Sequence, residues 1–145
     1  MSRFALAIAG MVLVSCRFSP DSAEIITVLG EQAKAWNEGD LDAFMATYLR
    51  SSELSFAGAS GITRGWEATR ARFAERYPDR AAMGRLKFVP IEILPLGADS
   101  AYLLGRFALE REPPHEDVDG VFTLVLLKTP EGWKIVHDHT SVVGG

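Results

Sequence analysis

The chain has 145 residues, 48% of them hydrophobic and 23% charged, with a formal net charge of −4. That length and balance suit one globular domain with its own core and exclude disorder over most of the chain. No cluster of Lys and Arg interrupts the mild acidity, so nucleic acid is not an expected partner. The single cysteine, Cys16, rules out a disulfide within the chain and a Cys-rich zinc site.

The N-terminus reads as an address. Arg3 precedes an apolar run from Phe4 to Val14, far shorter than the roughly 20 residues of a membrane-spanning helix. The run ends in Leu13-Val14-Ser15-Cys16. This resembles the lipobox of bacterial lipoproteins, in which small residues precede the cysteine that receives the lipid. The resemblance implies a signal peptide over residues 1–15 and a lipidated N-terminus and tether over residues 16–22. It also implies a membrane anchor through lipid on Cys16, more than one acyl chain being needed for stable anchoring. The expected location is the bacterial cell envelope. Because Arg17, not aspartate, follows the cysteine, the outer membrane is favoured in a Gram-negative source.

One domain is expected over residues 23–145. Asp21 and Glu24 suggest a capping box, starting a helix at about Ser22. Ile26, Leu29, Ala33 and Trp36 then recur at helical spacing, and Asn37-Glu38-Gly39-Asp40 stops the helix and caps the next. Leu41, Phe44, Met45 and Tyr48 give a short second helix its apolar stripe. Glu53 to Phe56 and Ile62 to Arg64 read as a small hairpin turned at Gly58 and Gly61. Gly65 opens a third helix carrying Trp66, Arg70, Phe73 and Tyr77 on one face, ended by Pro78. From Leu86 the period falls to two, predicting strands at Leu86–Leu94, Ala101–Arg111, Val118–Lys128 and Trp133–Val143. Their short turns make them antiparallel neighbours. The result is an α+β layout with helices on one face of a sheet. The strand Val121–Leu127 is apolar on both faces, so both should be covered. The simplest second cover is another copy of the chain, which predicts a homodimer; loops or the third helix are the alternative.

The segment Trp36-Asn37-Glu38-Gly39-Asp40, the Arg64-Gly65 step into the third helix and the terminal Gly132-Trp133-Lys134-Ile135-Val136-His137-Asp138-His139-Thr140-Ser141 resemble the nuclear transport factor 2-like superfamily. The likeness is greatest to its SnoaL-like bacterial members and to the association domain of calmodulin-dependent kinase. It implies a cystatin-like cone: three N-terminal helices packed on a strongly curved antiparallel sheet, with a pocket at the open end. Many relatives are homodimers through the outer sheet face. Function does not follow from the cone itself, which hosts isomerases, cyclases, dehydratases and transport adaptors.

If the last strand is regular, Trp133, Ile135, His137, His139 and Ser141 share one face, with Lys134, Val136, Asp138 and Thr140 on the other. Trp133 and Ile135 need a core, so His137 and His139 are expected to point into the cone and form a polar end to an apolar pocket. Ser141 or Tyr48 could partner them. These histidines are also the best candidates for a general base. The plainer reading has both rings bonded to neighbouring strands or at the rim. As a His-x-His pair they would need a third ligand to hold a metal, and His115 in a Pro-rich turn is the only other histidine, so no metal is expected. Trp36, Tyr48, Phe56 and Trp66 are candidate aromatic walls, though such residues also serve as plain core. Arg106 and Arg70 could meet a carboxylate, or be solvated or interface arginines; the face of the sheet that Arg106 occupies is open.

The superfamily's isomerases use an acidic base on the first hairpin, and Leu54-Ser55-Phe56-Ala57-Gly58 has no acid. The oxyanion-donating acid of a long strand is likewise missing from Ala101–Leu109. The sequence therefore points to a lipid-anchored envelope protein binding a small apolar molecule, without a cofactor and leaning away from enzymatic activity. Two alternatives are an isomerase, dehydratase or cyclase using His137 or His139, and a structural dimer with its cone filled by side chains.

Overall fold

The computed structural model describes residues 19–143. Cys16 and the expected signal peptide lie outside these residues. The element order is α1 (Pro20–Asn37), α2 (Leu41–Met45), β1 (Ser55–Gly58), β2 (Gly61–Arg64), α3 (Trp66–Arg76), α4 (Arg80–Met83), β3 (Arg85–Pro95), β4 (Ser100–Glu110), β5 (Val118–Thr129) and β6 (Gly132–Val142). The six strands form one sheet in the order β2-β1-β6-β5-β4-β3. Neighbours are antiparallel except β1 and β6, which run parallel. The α+β cone with helices packed on a curved sheet is thus the architecture of this chain, with the short α4 as an addition.

Helix α1 begins earlier than the sequence suggested. Ser19 is its N-cap, its hydroxyl accepting from the Ser22 N–H at 3.2 Å, and proline follows at the first helical turn. The buried stripe is Ile25, Val28, Leu29, Gln32, Ala35 and Trp36. Gly39, at φ +76°, lets the chain leave the helix, and Asp40 caps α2 by accepting from the Ala43 N–H at 2.9 Å. Asn37 then ties the helix end to β3. Its amide donates to the Leu86 carbonyl at 3.0 Å and its carbonyl accepts from the Leu86 N–H at 2.7 Å.

The inner sheet face carries Leu86, Ala101, Leu103, Leu109, Phe122, Leu124, Leu126, Trp133 and Ile135, all buried against the helices. The outer face exposes Val89, Leu94 and Val121 at 58, 46 and 37%. Arg106 pairs with Val89 on one side and Val121 on the other, and is exposed on this outer face.

Strand β6 departs from regular alternation. Leu126 faces Ile135, but Val125 faces His137, so Val136 is an extra residue without a partner on β5. This is a β-bulge, and one inserted residue reverses the faces of everything beyond it. It lies where β6 changes its other neighbour. Ile135 exchanges backbone hydrogen bonds with Thr47 and Leu49, whereas β1 pairing begins at His137. Past the bulge Asp138 and Thr140 turn inward, and His137 and His139 turn outward. The expectation that both histidines share the inner face with Trp133 and Ile135 is therefore overturned.

Candidate functional site

Within the cone, between the helices and the inner sheet face, side chains leave a cavity of about 130 Å³. From α1 come Gln32 and Trp36, from α2 and its end Phe44 and Tyr48, and from α3 Phe73 and Tyr77. The sheet adds Phe56 from β1, Phe88 from β3, Phe107 from β4, and Phe122 and Leu124 from β5. The aromatic wall is built edge to face. Trp36 meets Phe44 at 5.0 Å and Tyr77 at 4.8 Å, and Phe73 meets Phe44 at 5.2 Å and Phe56 at 5.4 Å between ring centroids. Such pairs contribute about 0.5–1.5 kcal/mol each beyond their buried area and fix the rings of the wall relative to one another.

Gly105 sets the floor. A Cβ there would lie 2.5 Å from Phe122 Cζ, so only glycine lets the Phe122 ring rest on the sheet.

The inner end is polar. Asp138 is 5% exposed and accepts from the Tyr48 hydroxyl and from the Thr140 hydroxyl, both at 2.7 Å. Burial raises the Asp138 pKa, and the Tyr48 and Thr140 hydrogen bonds, with the nearby His137 and His139, oppose that rise. Burial and the neighbouring carboxylate push the Tyr48 hydroxyl well above its usual value, against the Gln32 amide beside it. The site thus places a carboxyl with raised proton affinity, a phenol that stays neutral and a buried amide at one end of an apolar cavity. It can hydrogen-bond a neutral polar group, and Asp138 can exchange a proton with it.

The other end is an open mouth, where Ala59, Ser60 and Val142 are exposed and α3 contributes Arg72 and Arg76. Arg72 is fixed above the Phe56 ring at 4.6 Å. It donates to the Gly61 carbonyl at 3.2 Å, to the Thr63 hydroxyl at 2.8 Å and to the Ser60 hydroxyl at 2.7 Å.

Of the residues singled out from sequence, Trp36, Tyr48 and Phe56 line this cavity. Trp66 does not: at the start of α3 it turns away and donates its indole N–H to the Met45 carbonyl at 2.9 Å. Arg106 is on the outer face, as the strict alternation of β4 requires. His137 and His139 are outside because of the bulge; the His137 Nδ1 bonds the Ser55 hydroxyl at 2.7 Å, and His139 is exposed. Arg70 pairs with Asp42 at 2.7 Å on the surface. The sequence reading passed over Asp138, Gln32, Arg72 and Arg76. The two arginines had a signal: Arg72 and Arg76 are four residues apart on one helix face, next in sequence to Phe73 and Tyr77 at the same spacing. Asp138 had none without knowledge of the bulge.

Residues 25–144 match the family model of the SnoaL-like domain. A solved NTF-2 like protein of unknown function from Shewanella oneidensis MR-1 is 37% identical, over 83% of this chain and 98% of that one, with a TM-score of 0.78. A ketosteroid isomerase-like protein from Erwinia carotovora atroseptica is 17% identical with a TM-score of 0.71, over 88% of this chain and 100% of that one. A cystatin-like-fold protein of unknown function from Nostoc punctiforme is also 17% identical, with a TM-score of 0.67 over 86% and 92%. At such identities these last two speak for the fold alone. No curated protein matches the chain. With a match over nearly the whole described domain and a cystatin-like cone beneath it, the chain belongs to the SnoaL-like domain family.

Proposed function

We infer that this domain is a binding module for a small, largely apolar molecule of about one ring, held in the cone. The observation that carries the reading is the aromatic-walled cavity of about 130 Å³. An apolar protein cavity of about 150 Å³ accepts benzene, so a ring of that size fits within this one. The open volume also argues against a cone that is simply filled by side chains. At the inner end, Asp138, Tyr48 and Gln32 supply hydrogen bonds for one neutral polar group of the ligand. Titration calorimetry of the purified full chain with benzyl alcohol tests this. Binding should be seen, and should be lost in Leu124→Trp, whose indole would fill the cavity. Equal binding by a folded Leu124→Trp protein would place the ligand elsewhere.

A second reading is favoured by Asp138 specifically. A carboxyl of raised pKa facing an apolar cavity suits a general acid–base acting beside a carbonyl. The residue would then be Asp138, not either histidine. Its test is deuterium exchange from solvent into the methyl group of acetophenone. Acceleration by the wild-type chain that is absent in Asp138→Asn supports it; no acceleration leaves a binding module alone.

The setting proposed for this domain is the bacterial envelope, anchored by lipid on Cys16. The support is the sequence Leu13-Val14-Ser15-Cys16 behind its apolar run. Cys16→Ser should abolish membrane fractionation and leave an unprocessed precursor; wild-type behaviour of that variant would refute the anchor. A homodimer through the outer sheet face is supported by the exposed Val89, Leu94 and Val121 together on that face. Light scattering should give twice the chain mass, falling to one chain mass in Val121→Glu. A wild-type monomer at micromolar concentration would reject the dimer.

A further inference from the structure

Resting on the reading of the cone as a binding site, we propose that its occupant is a small monocarboxylate. The apolar part fills the cavity and the carboxylate is held at the mouth by Arg72 and Arg76. The two ends of the cavity differ in charge. Its inner end, with Gln32, Tyr48 and Asp138 exposed to only 2, 3 and 5%, holds the one carboxyl among the lining residues. Its mouth holds two guanidinium groups, in a chain whose acidic residues outnumber its Lys and Arg by 19 to 15.

These arginines also differ from others nearby. Arg70 pairs with Asp42 and Arg50 with Glu67, at 2.7 and 3.0 Å. Among the described residues, neither Arg72 nor Arg76 pairs with a carboxylate. Arg72 is nevertheless held in place. Its three hydrogen bonds to Gly61, Thr63 and Ser60 all go to uncharged acceptors, so its positive charge stays uncompensated. Of the five N–H donors of a guanidinium, these bonds leave two. A pre-positioned arginine with donors to spare suits a planar carboxylate, and little side-chain freedom remains to be lost on binding. Arg76 stands one turn further along α3, with its guanidinium carbon 5.9 Å from the centre of the Tyr77 ring, and brings the second charge. A neutral ligand would leave both charges unused. A phosphate or other dianion is the less fitting occupant, because the cavity behind the mouth is walled by aromatic carbon rather than by further donors.

The test compares benzoate with benzyl alcohol, a neutral molecule of similar shape, by titration calorimetry on the purified full chain at low and high salt. Benzoate should bind about tenfold more tightly at low salt, as an added charge-assisted contact implies. The difference should shrink at high salt, because the mouth is open to solvent. Arg76→Gln, which disturbs no hydrogen bond described for the fold, should remove most of the preference for benzoate over benzyl alcohol. Arg72→Gln should act in the same direction. If the wild-type chain binds both probes equally, or if the preference survives both substitutions, the carboxylate assignment is wrong and the apolar cavity stands. If neither probe binds, the binding-module reading itself fails.

Discussion

Tyr48→Phe removes one oxygen from the cavity and isolates a buried carboxylate. The Tyr48 hydroxyl donates to Asp138 at 2.7 Å where both residues are nearly sealed from water, so no solvent molecule replaces the lost donor at little cost. A hydrogen bond to a charged group contributes about 1.5–3 kcal/mol, and a neutral one about 0.5–1.5 kcal/mol. The cost of the substitution should therefore depend on the charge of Asp138. The folded-state pKa of Asp138 is raised by burial above the ordinary 3.8, and the Tyr48 bond holds it lower than burial alone would. Where Asp138 is ionised, above its folded-state pKa, Tyr48→Phe should cost about 1.5–3 kcal/mol. In acid, where the carboxyl is protonated, the cost should fall to about 1 kcal/mol. Tyr48 itself remains a neutral donor throughout, because its own pKa is raised well above 10.0. Urea unfolding of wild type and variant at a series of pH values measures this directly. A cost that is the same at every pH, or absent, would refute the view that the phenol supports an ionisable buried carboxyl.

Asp138→Asn tests the same group through linkage. A pKa raised by folding gives stability that is full below 3.8 and is lost as pH rises through the folded-state value, so wild type should lose stability relative to Asp138→Asn over that window, as read by thermal unfolding. A parallel pair of curves would contradict the raised pKa. Gly105→Ala drives a methyl into the Phe122 ring from 2.5 Å and should cost about 1–3 kcal/mol in urea unfolding. It should also weaken benzyl alcohol binding, because the displaced ring lies in the cavity floor; unchanged affinity would show that the floor does not shape the site.

Most of the architecture is legible in the sequence because it follows from local rules. Gly39 and Asp40 stop one helix and start the next, Gly65 and Pro78 bracket α3, and the shift to a period of two after Leu86 announces the long strands. The same rules misplace the site at one residue. Val136 is as good a strand residue as any, and nothing in its identity says that it has no partner on β5. Its bulge arises from tertiary pairing, since β6 leaves residues 47–49 and joins β1 at that point. A one-residue insertion exchanged two histidines for Asp138 and Thr140 as inward-facing groups. Trp66 shows a different limit: helical periodicity gives it the stripe of Phe73 and Tyr77, but its indole N–H needs an acceptor and finds the Met45 carbonyl. The wall residues Trp36, Tyr48 and Phe56 were accessible because an aromatic on an inward stripe has few other places to go.

The central claim, that the cone holds a one-ring apolar molecule, is tested most directly by locating such a molecule. Crystals of the chain soaked with iodobenzene would report its position through the anomalous scattering of iodine. The expected result is one peak within the cone, between Phe73 and Phe122, both of which line the cavity. Iodine found only on the outer sheet face, beside Val89, Leu94 or Val121, with the cone unoccupied, would contradict it.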